Sequence, residues 1–169
     1  MLNNELLCTS KDGKQVYFDP IHSHAATHFA DTPQLRELVI EVLKNRDIAN
    51  NELEFGIDMG RTVGTCDVVD TDDSNDIVYV IRKSRPEQGY VPFVKTRKPQ
   101  ADSNISISLL SNRDGTFQLS SAWIGTWDDP PFPQQPHATP NSKIYWNTHA
   151  FVWGSQEIEP GTETETCPW

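Results

Sequence analysis

The hydrophobic pattern of this chain changes character near Gly60. Before it, Leu35, Leu38, Val39, Val42 and Leu43 recur at helical spacing. Asp31-Thr32-Pro33 precedes them, with Thr32 suited to the N-cap and Pro33 to the first helical position, where its missing N–H costs nothing. This predicts a helix that ends where Asn45, Asp47 and Asn50 accumulate. Upstream, Lys11-Asp12-Gly13-Lys14 is a turn signal before a short apolar piece, Val16-Tyr17-Phe18, and Ile21 to Phe29 reads as a second, short helix.

After Gly60 the pattern is that of strands. Thr62 to Val69 is rich in β-branched residues, and Ile77-Val78-Tyr79-Val80-Ile81 is almost wholly β-branched or aromatic. Tyr90-Val91-Pro92-Phe93-Val94 reads as a strand that its proline places at an edge or bulge. Ile105 to Leu109 alternates, Asn112-Arg113-Asp114-Gly115 is a hairpin turn, and Thr116 to Ile124 returns. With short turns and no helix between them, these strands predict an antiparallel meander. The expected fold is α+β: N-terminal helices packed on a four- to five-stranded antiparallel sheet. Asp128 to Pro140 is proline-rich and reads as an irregular loop, and Lys143 to Trp153 as a short helix or turn leading into a strand. Residues 1–156 are expected to form a single domain, followed by a polar C-terminal tail, 157–169.

Composition narrows the class. With 169 residues, 36 % hydrophobic and 22 % charged, the chain can bury one core. No apolar run approaches the 18 residues of a membrane helix, and Met1-Leu2-Asn3-Asn4-Glu5 lacks the basic and apolar start of a secretory signal. The expected location is cytoplasmic, with no membrane partner. Cys8, Cys66 and Cys167 are too few and too scattered for a disulfide framework or a zinc ribbon.

The net charge of −10 counts against nucleic-acid binding, since phosphate affinity comes from Lys and Arg. Its distribution counts the other way. Six of the 14 basic residues lie between Arg82 and Lys98 (Arg82, Lys83, Arg85, Lys95, Arg97, Lys98), opposed there only by Glu87.

Three groups could carry chemistry. His22, His24 and His28 lie close in sequence, the last two on one face if that segment is helical; they could bind a metal, act as acid or base, or be surface residues. Arg61-Thr62-Val63-Gly64-Thr65 offers a cation, two hydroxyls and a glycine for phosphate contact, and Arg82 and Arg85 could face the same way. Asn147-Thr148-His149 is a polar cluster in an apolar stretch, hence a hydrogen-bonded corner or a site. Together these would suffice for metal-independent RNA cleavage. A base takes the 2′-hydroxyl proton, cations stabilise the phosphorane, and an acid protonates the leaving 5′-oxygen.

The order of elements resembles that of the barnase–EndoU–colicin–RelE group of small ribonucleases of bacterial toxins and phage-associated proteins. The stretch that carries the likeness runs from Arg61-Thr62-Val63-Gly64-Thr65, through Asp76 to Arg85, Phe93-Val94-Lys95 and Ile105 to Leu109. It ends at Ser121-Ala122-Trp123-Ile124-Gly125 and Pro131-Phe132-Pro133. The resemblance implies a metal-independent endoribonuclease giving a 2′,3′-cyclic phosphate without a cofactor. It assigns catalysis to His24, His28, Arg61, Arg82, Arg85, Thr148 and His149, with Lys83, Lys95, Arg97 and Lys98 binding RNA. It also implies a neutralising protein partner. The residues themselves leave two alternatives open: a non-catalytic protein-binding module, for which five tryptophans would suit an interface, and a metal-dependent hydrolase using His22, His24 and His28.

Overall fold

The computed structural model describes residues 4–19, 32–71, 76–126 and 129–169. In chain order their elements are β1 (Glu5–Thr9), β2 (Gln15–Phe18), α1 (Pro33–Lys44), β3 (Glu54–Asp58), β4 (Gly64–Cys66), β5 (Val68–Asp70), β6 (Ile77–Ile81), β7 (Tyr90–Val94), β8 (Gln100–Asp102), β9 (Asn104–Ser111), β10 (Phe117–Ile124), α2 (Pro140–Trp146) and β11 (His149–Val152). A 3-10 turn, Pro86–Gln88, joins β6 to β7. The expected α+β fold, with N-terminal helices on one antiparallel sheet, is corrected by this inventory. The described chain is mostly strand, its helices are short, and its strands form three sheets. Strands β2, β3 and β11 find partners far away in sequence, which local periodicity does not encode. The helix expected over Ile21 to Phe29 lies outside the described residues. No described helix is long and apolar enough to cross a membrane.

The chain divides into two compact units, Met1–Gly64 with Asp102–Trp127, and Thr65–Ala101 with Asp128–Trp169. In the first, the strand order is β1-β2-β10-β9-β3. The hairpin β9–β10 closes through Arg113 and Gly115 at φ 65° and 86°, as its Asn112 to Gly115 turn predicts. Strand β2 runs parallel to β10, so the sheet is not a simple meander. Helix α1 begins as its sequence predicts: the Thr32 hydroxyl accepts from the Leu35 amide at 3.2 Å, with Pro33 next. Leu35, Val39, Val42 and Leu43 are buried in one core with Val16, Phe18, Ile105, Ile107, Leu109 and Phe117. Ser106 and Ser108 of β9 are buried as well, and Ser106 donates to the Gly125 carbonyl at 2.8 Å.

In the second unit the order is β5-β11-β7-β6. The antiparallel hairpin β6–β7 sets Val78 opposite Phe93 and Val80 opposite Val91. Strand β11 inserts between β5 and β7, parallel to β7. The proline strand β7 is therefore interior and not an edge. Its ladder to β11 is confined to Phe93 and Val94, so Pro92, which has no N–H to give, lies outside that ladder. Helix α2 starts at a capping box in which the Ser142 hydroxyl accepts from the Thr139 amide at 3.2 Å. It lays Trp146 on an aromatic layer with Phe132, Phe93 and Phe151. The proline-rich loop is pinned there by Phe132 and by the Trp146 indole, which donates to the Pro130 carbonyl at 3.1 Å.

Residues 157–169, read from sequence as a polar tail, run along β6. The Glu159 amide donates to the Ile81 carbonyl at 2.7 Å, and Thr164 exchanges backbone bonds with Tyr79 at 2.8 and 2.9 Å. The segment ends with the Trp169 ring edge-on to Tyr79 at 5.1 Å, its indole donating to Asn147 Oδ1 at 3.0 Å. Backbone pairing of this kind needs no hydrophobic side chains, so the segment can be polar and still cover a sheet edge.

Candidate functional site

His149 opens β11 directly after α2 and sits across from Asp70 of β5. Its ring stacks on Tyr145, four residues earlier, with centroids 3.9 Å apart and planes 2° from parallel. Nδ1 lies 3.0 Å from the Tyr145 carbonyl oxygen and 3.0 Å from the Thr148 hydroxyl. A carbonyl oxygen only accepts, so Nδ1 carries the hydrogen. The Thr148 hydroxyl, 3.0 Å from the same carbonyl, donates its own hydrogen there and accepts from Nδ1. In the neutral ring the lone pair is then on Nε2. Tautomer and ring plane are both fixed by the turn that ends α2. Tyr145 is held in turn by a hydrogen bond from its hydroxyl to Asp129. The sequence singles out His149 and Thr148 as candidates but not Tyr145, whose only signal is its four-residue spacing from His149 at a helix end.

The basic stretch Arg82 to Lys98 separates into two groups at opposite ends of β7, whose five residues span roughly 16 Å at 3.3 Å each. At one end Arg82 is buried, 8 % exposed. Its guanidinium lies 5.3 Å from the Phe132 ring and 5.2 Å from the Phe151 ring, and it donates to Gln88 Oε1. Its Nε has no hydrogen-bond partner. Burial, and secondarily the neighbouring Arg85, pulls its pKa down to about 10. This cation sits inside the aromatic layer, away from solvent. Arg85 caps the 3-10 turn half-exposed, and Lys83 is exposed, 3.9 Å from Glu157. At the other end the Lys95 ammonium lies 4.6 Å from the centre of the Trp153 ring. The Arg97 guanidinium reaches the Thr71 carbonyl at 3.5 Å, and the Thr71 amide donates to the Thr148 carbonyl at 2.9 Å. Lys98 is exposed.

Arg61 belongs to the first unit, where it is exposed and paired with Glu41 at 2.7 Å. His22, His24 and His28 lie outside the described residues. Among the described residues no group of three or more His, Cys, Asp or Glu is gathered as a metal ion would need. Among the described residues of the expected set, Thr148, His149 and, through Thr71, Arg97 are tied to one corner by backbone and side-chain bonds.

The buried position of Arg82 leads to a prediction. Among the described residues no carboxylate pairs directly with Arg82, Glu87 acting on it only through its charge, and a buried cation without such a pair carries a desolvation cost that an apolar side chain of similar length avoids. Arg82→Met is expected to leave the urea midpoint unchanged or raised, because methionine fills the same space between Phe132 and Phe151. A loss of more than about 2 kcal/mol would show that the charge itself holds the layer together.

Comparison of the chain with family models, with curated proteins and with solved structures gives no match.

Proposed function

We propose that this protein is a metal-independent endoribonuclease, with His149 as the acid–base group and Arg97 as a phosphate contact. The observation that carries the reading is the fixed His149 tautomer: Nδ1–H is committed to Tyr145 and Thr148, which leaves Nε2 free to take a proton from a 2′-hydroxyl. Attack of that oxygen on the adjacent phosphorus breaks the bond to the 5′-oxygen. A 2′,3′-cyclic phosphate and a 5′-hydroxyl result. The guanidinium would spread the charge of the phosphorane. His24 and His28 stand as candidates for the second acid–base group. Kinship with the barnase–EndoU–colicin–RelE group belongs to the same proposal, as do RNA as substrate, a cytoplasmic setting and a neutralising protein partner. Its support comes from this corner and not from the arrangement of helices and sheet.

The test is incubation of the purified protein with single-stranded RNA in excess EDTA. Fragments ending in cyclic phosphate are expected, and DNA of the same sequence should resist because it lacks the nucleophile. Activity abolished by EDTA would move the case to a metal-dependent hydrolase. No cleavage by folded protein free of inhibitor would leave a binding module.

A further inference from the structure

A groove of about 390 Å³ opens in the second unit among Trp153, Gly154, Gln156, Ile158, Pro160 and Lys83. It has room for one nucleobase and its sugar. The Trp153 ring is oriented by Phe93, which meets it at 84° with centroids 6.0 Å apart. Beside it, Gly154 adopts φ +89° with open space where a Cβ would be, so the backbone turns there without a side chain to fill the groove. The Lys95 ammonium lies over the ring, and Lys83 lines the same groove. Glu157 also lines the groove, but its 3.9 Å pairing with Lys83 joins side chains 83 % and 62 % exposed. Such a pair is weak and readily exchanged for a phosphate.

We infer that this groove is a subsite for single-stranded nucleic acid, with one base stacked on Trp153 and the flanking phosphates held by Lys83 and Lys95. The inference rests on the ribonuclease reading and deepens it, by making an unpaired strand the substrate. An aromatic side chain that lines a groove beside cations is what a splayed-out base and its backbone require, and stacking of this kind tolerates any base. Lys95 now occupies the ring; a base arriving there releases the ammonium to a phosphate next to it. A duplex keeps its bases stacked on one another and offers Trp153 no face.

The probe is a fluorescently labelled eight-nucleotide 2′-O-methyl RNA, which cannot be cleaved because its 2′-oxygen is blocked. Binding to the whole protein is read by anisotropy. Trp153→Ala is expected to weaken binding roughly 5- to 150-fold, and Trp153→Phe to retain most of it. Lys83→Gln and Lys95→Gln should each weaken binding and flatten the log–log salt slope by about 0.7. Should Trp153→Ala fail to fold by circular dichroism, the two lysine variants decide the matter through the same slope. The inference is overturned if folded Trp153→Ala binds like the parent, if the lysine slopes are unchanged, or if a duplex binds as tightly as the single strand. It is also overturned if an acidic peptide binds the groove and the oligonucleotide does not. The two readings fail separately. Cleavage of RNA with undiminished binding by Trp153→Ala removes the subsite alone; Trp153-dependent binding without any cleavage removes the enzyme alone.

Discussion

Replacing His149 by alanine is expected to lower the rate of RNA cleavage by about 10²–10⁴, the range usual for loss of an acid or base, with little change in affinity for an uncleavable oligonucleotide. The expectation follows from the corner that ends α2. The Tyr145 carbonyl and the Thr148 hydroxyl both hold Nδ1, and the Tyr145 ring fixes the plane of the imidazole, so the proposed proton transfer would fall to Nε2. Thr148→Val keeps the carbonyl and removes one partner; a smaller fall is expected from it. Single-turnover rates measured with binding separate the two effects. A His149→Ala protein that is folded and cleaves at the parent rate would remove His149 from the mechanism.

The largest effect on stability is expected at Trp146. This side chain is 2 % exposed, packs on Phe132 with ring centroids 4.6 Å apart, and donates to the Pro130 carbonyl. Trp146→Ala should cost about 3–5 kcal/mol, as truncation of a buried aromatic does. That is a large share of the roughly 5–15 kcal/mol that stabilises an ordinary domain. The residue belongs to the core around Val78, Val80, Val91 and Phe93, and α1 belongs to a different one. Hydrogen exchange should therefore accelerate in β6, β7 and β11 and much less in β9 and β10. Equal acceleration in both sheets would refute the separation of the cores, and an unchanged urea midpoint would refute the anchoring role of Trp146.

Where a residue's role depends on neighbours in sequence, it was legible. Thr32-Pro33 starts α1 as its cap chemistry demands, Asn112 to Gly115 turns β9 into β10, and Ile77–Ile81 and Tyr90–Val94 form a hairpin. The polar cluster Asn147-Thr148-His149 was recognisable as a corner or a site because polar groups in an apolar stretch need partners. Which partners they have was not, since Asn147 takes its bond from Trp169, 22 residues on. Arg82 shows the same limit at the candidate site. As sequence it is one of six cations between Arg82 and Lys98; in the fold the period-two alternation from Val78 and Val80 carries it onto the aromatic face.

The sequence by itself determined the local elements: α1 and its cap, the β6–β7 and β9–β10 hairpins, the proline-rich loop, and the residue types that could handle an anion. These depend on backbone preferences and on side chains within a few positions of one another. Only the tertiary structure decided that the strands divide among three sheets, that β2 and β11 pair in parallel with β10 and β7, and that a polar C-terminal segment covers β6. Strand pairing is made by backbone groups common to every residue except proline, so its partners are chosen by which apolar faces can be buried together. That choice joins positions as far apart as Val16 and Phe117, or Val68 and Phe151. No spacing within the sequence carries it.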